Sequence, residues 1–177
     1  MSGGLQLVPL AREHLPALHA VVHDPDVLRF TRVPNPPPPG FVESWYAAYD
    51  RGRADGTRDA FAVVDGAGDL LGLAVAASIN RATRTAELGY MVVPQARGRG
   101  VATTALGMLS EWAFDQLGAL RLELVINLDN PASKAVARRC GYQLEGVLRS
   151  THFKGDQRQD VELWSLLPDD PRPFSRA

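Results

Sequence analysis

The stretch that most constrains the fold lies at residues 92–102, where an apolar segment, a glycine turn and a helical pattern follow one another directly. The turn itself is Arg97-Gly98-Arg99-Gly100. Glycine adopts backbone conformations that a Cβ forbids and lets a ligand approach the chain closely. The first amides of a helix lack intrahelical partners and lie at the positive end of the helix dipole. The sequence therefore predicts a binding site for a diphosphate group at this turn.

Length and composition indicate an ordinary globular domain. The chain has 177 residues, of which 45% are hydrophobic and 22% charged, and its formal net charge is −1. A nearly neutral chain has no global field that attracts nucleic acid or an anionic membrane, so neither is expected as a partner. There is no secretory signal pattern, and no apolar run approaches the roughly 20 residues that span a bilayer. Together with a single cysteine, Cys140, these features predict a cytoplasmic protein.

Hydrophobic patterning predicts one mixed α/β domain over residues 1–167. Strands are predicted at 5–10, 61–64, 70–76, 85–93, 122–126, 142–148 and 161–167. Helices are predicted near 15–22, 41–49, 101–117 and 131–140. Residues 168–177 are expected to form a flexible C-terminal tail.

Two of the predicted strands carry further information. The strand at 85–93 alternates, with Leu88 and Tyr90 on one face and Glu87 and Met91 on the other. Gly89 in its interior predicts a bulge or a close backbone approach. The strand at 122–126 is apolar on both faces, so it is expected inside the sheet.

The residues after that internal strand form a second motif. Asn130 and Pro131 are typical of a helix start, with asparagine as the cap and proline at the first helical position. Ser133 lies in the first turn of this helix, and Gly141 is expected to end it.

These two segments together resemble the GNAT acetyltransferases, which are acetyl-CoA-dependent N-acetyltransferases. The family motif is Gln or Arg, two residues, Gly, one residue, then Gly or Ala, and this chain has Gln95 through Gly100. The second segment has Asn130, Ser133 and a Gly-Tyr-x-x-Glu-Gly-x-x-Arg run at 141–149 that resembles the ribosomal-protein alanine acetyltransferase branch. The resemblance covers residues 5–167. It implies one GNAT domain with a mixed, mostly antiparallel sheet of about seven strands, flanking helices, and a splay between strands 4 and 5.

The resemblance implies that acetyl-CoA is the co-substrate. Its pantetheine is expected in the gap between strands 4 and 5, against the backbone near Met91, Val92 and Val93. Its pyrophosphate is expected on the amides of Arg97, Gly98, Arg99, Gly100, Val101 and Ala102, with the two arginine side chains adding charge. Asn127, Asn130 and Ser133 are expected to face the pantetheine or the thiol, although Asn130 can also serve as the helix cap.

The implied reaction is direct attack of a neutral amine on the thioester carbonyl. The oxyanion donor is expected to be a backbone amide near Val92. Glu87 is the first candidate for the general base, and the alternative is a glutamate paired with an arginine such as Arg84. Ser133 is the candidate acid or the group that orients the thiol. His152 is suited to proton transfer near neutral pH, and its alternative is a surface histidine.

The acceptor is expected to be a primary amine. A protein N-terminal α-amine is one option, and an aminoglycoside, a polyamine or an amino acid are others. With a pKa near ~7.7–8.0, an α-amine needs a weaker base than a lysine near ~10.4. The acceptor cleft is expected between the first helices, including residues 36–49, and the last hairpin, with Trp45, Tyr90 and His152 as substrate-binding residues. The chain is expected to be a monomer or a homodimer.

Other interpretations of the same residues remain open at this point. Gly98 to Thr103 resembles the turn of a dinucleotide oxidoreductase, with Glu123 about twenty residues further on, but it follows a hairpin and does not open a βαβ unit. A GNAT-like domain that binds acyl-CoA without catalysis, as a sensor, is a second interpretation. His19 and His23 lie one helical turn apart without an evident third ligand, so no metal site is expected.

Overall fold

The structure is a computed structural model that describes residues 4–154 and 156–173. Its strands are β1 (Gln6–Pro9), β2 (Asp59–Val64), β3 (Leu70–Asn80), β4 (Thr85–Val92), β5 (Arg121–Asn127), β6 (Gln143–Lys154) and β7 (Gln157–Leu166). Its α-helices are α1 (Leu15–Val21), α2 (Pro25–Phe30), α3 (Phe41–Asp55), α4 (Val101–Asp115) and α5 (Pro131–Arg139). Within these described residues, no helix is long and apolar enough to cross a membrane.

The seven strands form one sheet in the order β1-β2-β3-β4-β5-β7-β6. Neighbouring strands are antiparallel except for β4 and β5, which are parallel. β5 lies between β4 and β7, as its two apolar faces predict. The predicted fold class is confirmed.

The sheet opens between β4 and β5. These strands pair only at Thr85 with Arg121, Ala86 with Leu122 and Glu87 with Glu123. Beyond Glu87, residues 88–92 of β4 have no partner on β5, which continues to pair with β7 as far as Asn127. The predicted splay is therefore present, as a wedge that is closed at its 85–87 end.

Helices cover both faces of the sheet. On one face α4 and α5 pack over a core that includes Leu106, Leu109 and Leu122. On the other face α1, α2 and α3 pack over a second core that includes Leu18 and Val42. The predicted alternation of β4 is confirmed, because Leu88 and Tyr90 belong to the first core and Met91 to the second.

Three features differ from the sequence-based expectations. The structure contains α2, which no hydrophobic period predicted because a helix of 6 residues is too short to show one. The bulge expected at Gly89 lies in the partner strand, where the register shifts between Ala76 and Ser78. β6 and β7 are longer than predicted, since register shifts in β6 after Leu144 and Leu148 interrupt its alternation.

Part of the segment expected to be a flexible tail makes defined contacts. Arg172 donates to Glu111 of α4 at 3.0 Å. Its guanidinium also lies 4.7 Å from the centre of the Phe114 ring. A Cβ on Gly141 would come within 2.5 Å of the Pro171 carbonyl oxygen. Residues 168–173 thus pack against α4 and the end of α5, while residues 174–177 lie outside the described part of the chain.

Candidate active site

The predicted diphosphate turn adopts the conformation that its glycines allow. Gly98 and Gly100 have φ angles of 71° and 80°, in the left-handed region, and Gly100 is the N-cap of α4. Apart from the adjacent residues, no atom of residues 4–154 and 156–173 lies within 4 Å of a Cβ built on either glycine. The turn therefore needs glycine for its backbone geometry, and the space beside it is open to a ligand. The free amides at the start of α4 border this space.

The open edge of β4 directs backbone groups toward the gap, and one of them, the Val92 carbonyl, accepts from the Arg97 Nε. The Val93 amide donates to the Leu71 carbonyl at 2.9 Å, and Met91 pairs with Leu73 in the same ladder. Because successive residues of a strand direct their backbone groups to opposite edges, those of Tyr90 and Val92 point away from β3. β5 has already diverged here, so these groups face the gap. This arrangement suits an extended chain that binds as an added strand, and it supplies the amide expected at Val92.

Arg97 does not direct its charge toward the phosphate turn. Its guanidinium donates to Asp24 at 2.5 Å and to Asp26 at 2.8 Å, and its Nε donates to the Val92 carbonyl at 3.2 Å. Asp24 and Asp26 belong to the start of α2. Two carboxylates thus neutralise the charge of the Arg97 side chain that was expected at the phosphates. Arg99 is exposed.

A pair of hydroxyl groups lies on the α4/α5 face of the gap. The Tyr90 hydroxyl is 2.8 Å from the Ser133 Oγ. Burial raises the pKa of Tyr90 to about 12, although the hydrogen bond with Ser133 acts against that shift. The Asn130 Oδ1 accepts from the Ser133 amide at 3.0 Å, which is the capping role expected for Asn130. The cap fixes the helical turn that carries Ser133, and so positions its hydroxyl beside Tyr90.

Asn127, at the end of β5, has both ends of its side chain engaged. Its Nδ2 donates to Gln159 of β7 at 2.7 Å, and its Oδ1 accepts from the Asp129 amide at 2.9 Å. These bonds hold the β5–α5 loop against β7. The side chain of Asn127 thus fixes the end of β5 relative to β7.

The candidate base Glu87 lies on the opposite face, where it pairs with an arginine of the helical layer. Arg32 donates to Glu87 at 2.7 Å, with 24% of the Glu87 side chain and 60% of the Arg32 side chain exposed. The expected alternative partner, Arg84, instead donates to the Gly118 carbonyl. Arg32 was missed by the sequence analysis because nothing around it in the sequence marks it as a site residue.

The hairpin of β6 and β7 brings His152 and Lys154 to the same region. The Lys154 Nζ donates to the carbonyls of Thr31 at 2.8 Å and Val33 at 2.5 Å, on either side of Arg32. Burial lowers the pKa of Lys154. Burial, together with the positive charges of Arg32 and Lys154, also lowers the pKa of His152. His152 is therefore a neutral imidazole near pH 7, beside two cations.

Trp45 lies in the helical layer on this face. Its ring centre is 4.3 Å from that of Tyr49. It borders a narrow apolar recess of about 10 Å³ whose wall includes Val33 and Met91. The recess is about the size of one water molecule. In this conformation it offers only a small apolar contact surface beside β4.

His19, His23 and Cys140 each have a hydrogen-bond partner of their own. His19 pairs with Glu43 at 2.9 Å, and His23 bonds the backbone carbonyl of His19. Cys140 is buried with its thiol donating to the Thr103 carbonyl, and burial raises its pKa to about 12. The side chains beside the gap thus form two groups, with Tyr90 and Ser133 on the α4/α5 face and Glu87, His152 and Trp45 on the α1–α3 face.

A sheet that opens between two parallel strands, next to a glycine turn at a helix start, defines an acyl-CoA-dependent acyltransferase. The family described as the acetyltransferase (GNAT) domain matches residues 5–143 of this chain. The chain belongs to this family. The interpretation as a dinucleotide oxidoreductase is therefore wrong.

Named relatives act on two kinds of amine. The chain is 29% identical over 160 residues to the spermidine N(1)-acetyltransferase of Escherichia coli (strain K12), which covers 90% of this chain and 84% of that protein. It is 34% identical over 102 residues to the ribosomal-protein-serine acetyltransferase of the same strain, which covers 57% of this chain and 56% of that protein.

Solved structures show the same fold. A spermidine N-acetyltransferase from Vibrio cholerae, in complex with CoA and spermine, has a TM-score of 0.81 at 24% identity over 92% of this chain and 95% of that one. A ribosomal L7/L12 alpha-N-protein acetyltransferase in complex with coenzyme A has a TM-score of 0.84 at 20% identity over 92% of this chain and 93% of that one. The protein is an N-acetyltransferase that uses acetyl-CoA and an amine acceptor.

Proposed function

We propose that the acceptor is a peptide or protein N-terminal α-amine, and that polyamines are poor acceptors. The observation that carries this proposal is the pair between Arg32 and Glu87 at 2.7 Å. Arg32 neutralises the carboxylate of Glu87, which lies at the closed end of the wedge. Lys154 adds a further positive charge. Its ammonium group bonds two neutral carbonyls, which leave that charge uncompensated.

A polyamine carries several positive charges and is recognised best by carboxylates that are free to pair with it. One further carboxylate near this face is also engaged, since Arg29 lies 3.5 Å from Asp129. A peptide N-terminus brings one amine followed by carbonyls, which can accept hydrogen bonds from Arg32 or Lys154. The charges on this face therefore favour the peptide.

The proposed proton acceptor is His152, acting directly or through water. Its lowered pKa keeps it neutral near pH 7, which is the form that can take a proton. An α-amine requires only a modest base, because about a tenth of it is already neutral at that pH. Glu87 is the second candidate, and its bond to Arg32 also gives it a role in holding Arg32 in place.

On the opposite face, Ser133 is the proposed donor to the sulfur when the carbon–sulfur bond breaks. Tyr90 can donate to the Ser133 oxygen, which frees the serine hydrogen to point toward the thiol. The amide of Val92 is the proposed oxyanion donor. Met91, Val93 and the amides of residues 97–102 are the proposed contacts of the co-substrate.

Release of free thiol from acetyl-CoA, measured against a panel of amines, tests the proposal. We expect turnover with peptides that begin with serine or alanine, and none with the same peptides blocked at the α-amine. Mass spectrometry then locates the acetyl group. A higher kcat/KM for spermidine than for every peptide would overturn the proposal.

The substitution Arg32→Glu tests which residue sets this preference. Reversing the charge beside Glu87 is expected to lower kcat/KM for peptides about tenfold and to raise any activity toward spermidine. Arg29→Glu is the matched control, since Arg29 is equally an exposed arginine of this layer but pairs with Asp129. Equal effects of the two substitutions would show that only the overall charge matters.

A further inference from the structure

We propose that α2 is a brace for the unpaired half of β4, and that Arg97 is the positioning residue that secures this brace to the cofactor turn. Residues 88–92 of β4 have lost their neighbour on one side. A strand with one free edge has fewer hydrogen bonds to resist local opening. Its position determines where the Val92 amide lies, and within the sheet only β3 holds this segment.

The first attachment lies at the closed end of the wedge. Glu87 of β4 pairs with Arg32, which follows α2 by two residues. Lys154 bonds the carbonyls of Thr31 and Val33 and so fixes the backbone on both sides of Arg32. The C-terminal end of α2 is thereby tied to β4 and to the last hairpin.

The second attachment lies at the open end. Arg97 holds the Val92 carbonyl by its Nε and the carboxylates of Asp24 and Asp26 by its two terminal nitrogens. Asp24 also caps α2, because its Oδ1 accepts from the amides of Asp26 and Val27 at 3.1 Å each. Arg97 therefore connects the last residue of β4 to the first turn of α2.

The pair of Arg97 with Asp24 is the sheltered part of this second attachment, since the Asp26 side chain is 63% exposed. The side chain of Asp24 is 10% exposed and that of Arg97 34%. Burial alone would raise the pKa of Asp24, but the hydrogen bonds from Arg97 and from the capping amides hold it below its ordinary value. Charge-assisted bonds of this kind are stronger than those of an exposed ion pair.

Both ends of the unpaired segment are thus tied to the two ends of one helix. Val27 anchors the middle of α2, since it is 4% exposed and belongs to the α1–α3 core. The ring of contacts runs from Val92 through Arg97, Asp24 and α2 to Arg32 and back to β4 at Glu87. An arginine of the cofactor motif consequently acts on the geometry of the gap and not on the phosphates.

Hydrogen exchange of residues 88–93, measured without any ligand, tests the brace. Arg97→Met is expected to speed exchange in this segment at least about threefold, whereas Arg99→Met, on the same turn, is expected to leave it unchanged. The inference rests on the proposed function only for the catalytic consequence. Because exchange needs no acceptor, a failure of the acceptor proposal leaves this test intact.

Affinity and turnover separate a brace from a phosphate ligand. For Arg97→Met we expect kcat to fall about tenfold while the Kd of CoA changes less than threefold, and for Arg99→Met we expect the larger rise in Kd. A rise in Kd for Arg97→Met as large as that for Arg99→Met would overturn the proposal, as would unchanged exchange.

Asp24→Asn tests the same ion pair with Arg97 if the variant Arg97→Met folds poorly. Asparagine keeps the helix cap and removes the charge, so this variant is expected to reproduce the faster exchange. The double variant is expected to be no worse than either single one, because both break the same link. Additive effects, or unchanged exchange in Asp24→Asn, would contradict the proposal.

Discussion

The two halves of the active site are encoded in different ways. The co-substrate half consists of backbone groups and caps set by nearby residues, such as Gly98, Gly100 and the Asn130 cap of Ser133 three residues later. The acceptor half consists of side chains that meet across the chain, as when Lys154 bonds Thr31 and Val33, which lie 123 and 121 residues away. On the proposed assignment of these residues, binding of the co-substrate depends on local sequence, whereas selection of the acceptor depends on tertiary pairing.

The largest expected effect is a loss of CoA affinity in the co-substrate half. Gly100→Asp forces a side chain into left-handed backbone and places a negative charge at the phosphate turn, so the Kd of CoA is expected to rise at least about tenfold. Calorimetry measures this directly. Gly68→Asp is the control, because Gly68 has a φ of 89° and open space beside it but lies in the β2–β3 turn. A similar loss of affinity in both variants would contradict the local assignment.

An intermediate effect is expected in the acceptor half. Lys154→Met removes two charge-assisted bonds that fix the backbone around Arg32. The KM of the peptide acceptor is expected to rise about fivefold, while the Kd of CoA changes less than twofold. Arg81→Met, at the exposed β3–β4 turn, controls for loss of a surface charge. Equal changes in both constants for Lys154→Met would mean that the two halves are not separable.

The smallest expected effect concerns pH. Because its pKa is lowered in the folded protein, His152 binds fewer protons there than in the unfolded chain below about pH 6.5. Its contribution to stability is therefore present above this pH and is lost on acidification. His152→Asn is expected to flatten the fall in Tm between pH 7 and pH 5 by about 1–2 °C. An unchanged slope would show that His152 is not desolvated.

The same division explains what could be predicted from the sequence. The internal position of β5, the splay, the Asn130 cap and the left-handed glycines follow from patterning, from local backbone preferences and from the family resemblance. Neither the α2 helix nor the partner of Arg97 could be predicted, because a helix of 6 residues has no period and an ion pair across 73 residues leaves no local signal. Arg32 was missed for the same reason.

The wedge between β4 and β5 has a consequence for solubility. Unpaired strand edges recruit extended segments of other chains, and this is a common route to aggregation. Here the vulnerable edge faces inward, ends at the residue pair Glu87 and Glu123, and is flanked by helices on both faces. Because β4 and β5 are paired at this end, a chain that lies along the free edge of β4 cannot run past it. The length of the free edge, residues 88–92, therefore limits how many residues of another chain could pair with it.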